Sequence, residues 1–365
     1  ARQANRIFDV GIFDEAHRTV GQSDSMFAHL IDEKNIRIRK RVFMTATERR
    51  YQGSSETILS MDDVDAYGDT FDKMTFKEAL EQPKPILSDY KIVTMVIGRS
   101  EVQHLIDENF LVKPDKGKWD DDTEARTLAA LIALRKAMRR YRANHALTFH
   151  NSIAKAETFR ASQERFNGAV KGFGKVDCYH VSSKVSTGER KQELERFRHS
   201  KKALITNAKC LTEGVDVPTI DAVLFADTKR STVDIVQAAG RALRTAEGKM
   251  MGYIVVPVLV DEDDPEAADE AFQDILMTLR AMASNDDRVI DYFRSVSQGK
   301  RPSKSDSVID FVVPDPIKVK LGDFVENIET QSWHRLAKLS WLPFDEARDF
   351  VHRLNLSSQS EWHLY

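Results

Sequence analysis

Apolar residues fall along this chain in two rhythms: short unbroken runs that read as buried strands, and recurrences at helical spacing. The runs Ile7–Phe13, Arg41–Met44 and Tyr90–Ile97 predict strands, and the first ends in two acids. A long helix opens at Asp120–Thr123, with Leu128, Leu131, Ile132 and Leu134 on its apolar face and Arg and Lys residues opposite. Beyond it strand and helix alternate. The predicted strands are 146–149, 176–181, 203–206, 222–225 and 252–257, and one intervening helix starts at the capping box Ser186–Glu189. Such alternation requires crossover connections, hence a parallel sheet covered on both faces, with ligands at the C-terminal ends of its strands.

Four segments follow from this pattern: 1–119, 120–257, a helical extension with a Ser/Lys-rich linker at 258–307, and a tail at 308–365. The tail carries Phe344, Ala347, Phe350, Val351 and Leu354 at helical spacing and a second capping box, Ser358–Glu361. No internal repeat occurs in the 365 residues.

Composition narrows the class. With 41% hydrophobic and 30% charged residues, the chain reads as globular, without a membrane-length apolar run or a leader. Two isolated cysteines, Cys178 and Cys210, fit neither a disulfide framework nor a zinc site and suit a cytoplasmic setting. The net charge of −3 does not itself mark a nucleic-acid binder. Two basic runs do suggest a phosphate-tracking surface, one at 34–50 and one comprising Arg135, Lys136, Arg139, Arg140 and Arg142. A solvated helix face is the plainer reading of either run.

The chemistry concentrates at predicted strand ends. Asp14 and Glu15, followed by Ala16 and His17, supply one carboxylate for Mg²⁺ and one to orient and deprotonate a water, as nucleotide hydrolysis requires. Taken alone, the same acids could complement a helix dipole. Thr45-Ala46-Thr47 ends the next strand, where hydroxyls can bridge the acidic loop and a neighbouring domain or merely form a turn. Thr206 and Asn207 suit a backbone phosphate, Gly214 permits close approach, and Asp216 could hold a ribose or an arginine; a Gly-Pro loop with a capping Asp is the structural alternative. Gln237, Gly240, Arg241 and Arg244 form the sharpest pattern. The two arginines are expected on one helix face, with Gly240 allowing close packing, and paired guanidiniums would stabilise charge at a γ-phosphate.

In order and spacing, these segments resemble motifs II, III, V and VI of superfamily 2 helicases, and Phe149–Ser152 resembles motif IV. The segments 13–19 and 226–244 look like the motors of restriction-type helicases, and Trp341–Val351 is similar to a short helical repeat at the ends of such proteins. The resemblance implies an α/β fold of tandem RecA-like domains, the first incomplete and the second a complete parallel sheet with helices on both faces, plus a helical C-terminal region. It implies ATP and Mg²⁺ as cofactors and DNA, double-stranded, as partner. Asp14, Glu15, Arg241 and Arg244 would be catalytic, with Asp14 on the metal; His17, Gly214, Asp216 and Gln237 would serve the nucleotide. Ser152, Thr206 and Asn207 would grip nucleic acid, and Thr45 and Thr47 would couple the domains. An RNA helicase on the same fold, or a non-catalytic nucleic-acid-binding module, are the alternatives.

The family's P-loop is not found in these residues. Gly168–Lys175 has the wrong glycine spacing and is followed by Val176 instead of a hydroxyl. The expectation is therefore a fragment of a longer protein that cannot hydrolyse ATP alone. A nuclease or methyltransferase would lie outside it.

Overall fold

A computed structural model of the chain describes residues 7–22, 28–46, 58–108, 110, 121–169, 172–208, 217–227, 232–261, 268–300, 302–303, 307–315, 317, 324–336, 348 and 352. Strands β1 (Ile7–Phe13) and β3 (Arg37–Phe43) form a parallel pair in which Phe13 faces Phe43. Between them β2 (Gly21–Gln22) reaches forward to pair antiparallel with β4 (Ile58–Leu59). Parallel strands ordinarily need cover on both faces. Here Ile7, Phe8, Val10 and Ile12 are each more than half exposed. The helices α1 (Val64–Tyr67) and α2 (Phe76–Glu81) follow; Tyr67 packs on Phe43, and a Thr75–Glu78 capping box starts α2.

The main body is a seven-stranded sheet. Its strands are β5 (Tyr90–Gly98), β6 (His145–Phe149), β7 (Asp177–Ser182), β8 (Ala203–Ala208), β9 (Ala222–Phe225), β10 (Gly252–Val260) and β11 (Ile309–Val312). They run in the order β11-β5-β10-β9-β6-β8-β7, and every pairing is parallel. Alternation along β5 shows why both faces must be covered. Ile92 and Val96 enter one core, Val93, Met95 and Ile97 the other, and all five are buried. One face packs against α3 (Arg99–Asp107), α4 (Asp121–Arg140) and α5 (Ile153–Ala169). The opposite face packs against α6 (Thr187–His199), α7 (Thr232–Ala242), α8 (Ala268–Ala283), α9 (Asp287–Ser297) and α10 (Phe324–Leu336).

Three placements differ from the sequence reading. Chain order groups β5 with the first segment, yet all nine of its residues pair with β10 and its other edge holds β11. Its two apolar faces find cover only within the large sheet. The tail also supplies a strand, β11, where helix is expected. The basic run is split, its first two members being turned into the fold. Arg135 is 1% exposed and donates to Gln163 Oε1 (2.6 Å), Gln163 O, Asn167 Oδ1 (2.6 Å) and Gly174 O. Lys136 is paired with Glu101 at 2.6 Å, and Arg139 donates to Gly172 O. Arg139, Arg140 and Arg142, at and just beyond the C-terminal end of α4, remain exposed. The segment 341–351 and the capping box at 358–361 lie outside the described residues, except Arg348.

Candidate functional site

The acidic loop begins where β1 ends. Met44 N–H donates to Phe13 O and Ala16 N–H to Met44 O, both at 2.9 Å, so the ends of β1 and β3 hold the loop between them. Glu15 adopts φ 53° and ψ 44°, a left-handed backbone uncommon for a residue with a side chain. Strain of this kind costs about 1–3 kcal/mol and gathers at functional sites. It turns the backbone so that Glu15 N–H donates to Asp14 Oδ1 at 2.9 Å, while a 3-10 turn over Ala16–Thr19 follows. Thr19 closes this turn through Ala16 O (2.7 Å) and the Tyr67 hydroxyl (2.8 Å).

Around the Glu15 carboxylate three groups converge. His17 Nδ1 lies 3.4 Å from Glu15 Oε2 and 3.1 Å from Thr45 Oγ1. Gln237 Nε2, on α7 and 222 residues away in sequence, donates to the same Glu15 oxygen at 2.9 Å. The acidic loop, the Thr45 strand end and α7 are thus brought to one point. Arg241 lies one turn beyond Gln237 and is buried.

Arg244 is placed differently from the sequence reading. The helix stops at Ala242, so the two arginines do not share a helical face. Arg244 instead forms an antiparallel bridge with Leu87, just before β5. The expected close packing at Gly240 is also not found among the described residues, where a Cβ on it would meet nothing within 4 Å. The glycine that permits close approach is Gly252 at the start of β10. A Cβ on it would sit 2.3 Å from the Ala242 carbonyl oxygen, at the end of α7.

The C-terminal ends of β6, β8 and β9 carry the other candidate residues. Ser152 is exposed at the start of α5, and its Oγ accepts the Lys155 N–H at 3.2 Å. Asp227, just after β9, binds both Asn151 N–H (2.9 Å) and Lys155 Nζ (2.6 Å), which ties two strand ends together. Sequence reasoning missed Asp227 and Lys155. Thr206 and Asn207 were expected at the nucleic-acid surface but are fully buried. The Thr206 hydroxyl is engaged by His180 Nδ1 at 2.9 Å, and Asn207 O accepts the His150 N–H. Their place inside β8 turns both side chains into the fold and away from solvent. Burial keeps His180 less basic than an ordinary histidine, with Glu157 opposing the shift. Thr47, Gly214 and Asp216 lie outside the described residues.

The site thus joins a carboxylate pair at a parallel strand end to a helix bearing glutamine and arginine. Residues 127–246 match the helicase conserved C-terminal domain, and the large sheet is of the RecA-like kind. The chain is 24% identical over 301 residues to "Probable helicase A859L" of African swine fever virus, covering 81% of this chain and 31% of that protein. It is 26% identical over 194 residues to UvrABC system protein B of Kosmotoga olearia, covering 49% of this chain and 26% of the relative. Among solved structures, the ATP-dependent Type ISP restriction-modification enzyme LlaBIII bound to DNA aligns with a TM-score of 0.71 at 24% identity, over 90% of this chain and 24% of that one. The related enzyme LlaGI, as a nuclease-deletion mutant in complex with a DNA substrate mimic, aligns with a TM-score of 0.54 at 23% identity, over 89% of this chain and 20% of that one. The chain therefore spans about a third of the length of the viral helicase and a quarter of LlaBIII.

Proposed function

We propose that these residues are the rear part of an ATP-driven motor that moves on double-stranded DNA, of the restriction-enzyme type. The Gln237–Glu15 hydrogen bond carries this reading, because it joins the carboxylate loop of one segment to the arginine-bearing helix of the other. DNA as partner is supported by the two restriction enzymes that share this fold, one bound to DNA and the other in complex with a DNA substrate mimic. A role in restriction or defence, a cytoplasmic setting, and a nuclease or methyltransferase elsewhere on the polypeptide belong to the same proposal.

The residues present fit half of an ATP–Mg²⁺ site. Mg²⁺ in such sites is held by one or two carboxylates together with waters and substrate phosphates. The exposed Asp14 suits that role. No cluster of three or more His, Cys, Asp or Glu able to hold a metal by itself occurs among the described residues. Bound Mg²⁺–ATP would supply the phosphoryl group and the metal's charge. Glu15 would orient and deprotonate the attacking water, His17 and Gln237 would hold that carboxylate, and Arg241 would counter charge developing at the γ-phosphate. Arg244, displaced from the helix, would serve through its tie to Leu87, just before β5. Exposed Ser152, at the N-terminus of α5, is the residue placed to meet a backbone phosphate. The exposed apolar side chains of β1 suit a larger sheet, completed by parts of the polypeptide that also hold the P-loop.

Two variants of the full-length protein test this division of labour. Glu15→Gln and Arg241→Ala should each lower DNA-stimulated ATP turnover by about a hundredfold or more, as loss of a charge-stabilising group does. Duplex affinity should stay close to wild type. Turnover near the wild-type rate in Arg241→Ala would remove the arginine from the reaction.

A further inference from the structure

The end of α7 is held by a half-buried cation that no motif accounts for. Lys249 Nζ donates to three backbone carbonyls: Arg244 O at 2.6 Å, Ile220 O at 2.7 Å and Pro218 O at 3.4 Å. Pro218 and Ile220 belong to the segment returning from β8 to β9, and Arg244 follows directly on α7. The Arg244 carbonyl also accepts from Ser88 Oγ at 3.3 Å, and Leu243 O accepts the Ser88 N–H. The ammonium therefore ties the segment before β9 to the end of α7, and Ser88, just before β5, joins through the carbonyls of Leu243 and Arg244.

An ammonium withdrawn from water is costly unless its donors are matched, and a lysine with surface in reach would ordinarily extend its head to solvent. Here the matching groups are carbonyls whose positions fix the backbone on either side of the candidate site. Neither a methyl group nor a neutral amide could make three such donations from one atom.

We propose that Lys249 is a positioning residue, which locks the arginine-bearing end of α7 to the segment entering β9 and so sets the reach of Arg241 toward Glu15. This rests on the motor reading above. Burial lowers the Lys249 pKa to about 8. The opposing charge is Asp221, whose oxygens are themselves held by the amides of Asn144 and His145, and Tyr253 on β10 faces the same carboxylate. Three full donations need the charged form, so the lock loosens as pH rises through about 8.

The test uses the full-length protein and measures ATP turnover with duplex DNA against ATP concentration and pH. Lys249→Met should lower kcat by about 10- to 100-fold, the cost of misplacing a catalytic group by roughly an ångström. KM for ATP and duplex affinity should change little. Wild-type kcat should decline above pH 8, and Lys249→Arg, which keeps its charge, should lack that decline. Tyr141→Phe, which deletes a hydrogen bond to Asp310 outside this cluster, serves as the comparator for simple destabilisation and should retain its kcat. Should Lys249→Met fail to fold, Lys249→Gln and the pH profiles carry the same test. Unchanged kcat in a folded Lys249 variant, with wild type active, would overturn the positioning role alone. A silent wild type would overturn the motor reading and this role with it.

Discussion

Residue chemistry explains why some of the site was legible in the chain and some was not. Asp14, Glu15, His17, Thr45 and Gln237 could be read because the residue types follow from what each must do, and the structure brings them together, Gln237 and His17 at the Glu15 carboxylate and Thr45 on His17. Thr206 and Asn207 could not be read as well, since a polar residue at a strand end may face either water or the core. Thr206 is inside, and the group that holds it is His180. That contact has a consequence for stability. With its folded pKa lowered from 6.5, His180 stays neutral in the fold at pH values where the unfolded chain already binds a proton. The stability it contributes is thus present above about 6.5 and lost as pH falls through the lower folded value. Denaturant midpoints for this chain should drop on acidification in that window, and His180→Asn should flatten the slope. An unchanged slope would assign the acid sensitivity to other groups.

Elements were easier to foresee than their partners. Alternating strands and helices from β6 to β10 were visible because each strand is apolar on both faces and each helix is bounded by polar turns. The pairing of β5 with β10 was not, because neighbours in a parallel sheet are set by which long apolar strands remain uncovered, and chain order says nothing of that. The end of α7 shows the same limit. Gly240 stands in the motif and attracts the packing argument, yet Gly252 is the residue against which the helix end lies. Gly252→Ala would drive a methyl group into the Ala242 carbonyl and should cost roughly 1–3 kcal/mol or more, as overpacking does. Gly240→Ala meets open space within a helix and should be neutral or stabilising by up to about 1 kcal/mol. Urea unfolding of the two variants separates them, and equal costs would place the close approach elsewhere.

On the scale of the whole molecule, the seven-stranded sheet and its two helical layers form a finished unit, whereas β1 and β3 make a two-stranded parallel pair with four large apolar side chains more than half exposed. The α/β class and the RecA-like character of the large sheet were legible, because short apolar strands alternate with helices along the chain. The central claim is that the Glu15 loop and the Arg241 helix are two sides of one ATP site that DNA activates. ATP turnover by the full-length protein, with and without duplex DNA, single-stranded DNA and RNA, tests it most directly, with this chain of 365 residues measured alongside. Strong stimulation by duplex DNA in the full-length protein, and no turnover by this chain alone, is the predicted result. Stimulation by RNA and not by duplex would contradict the DNA assignment, and no hydrolysis with any nucleic acid would contradict the motor itself.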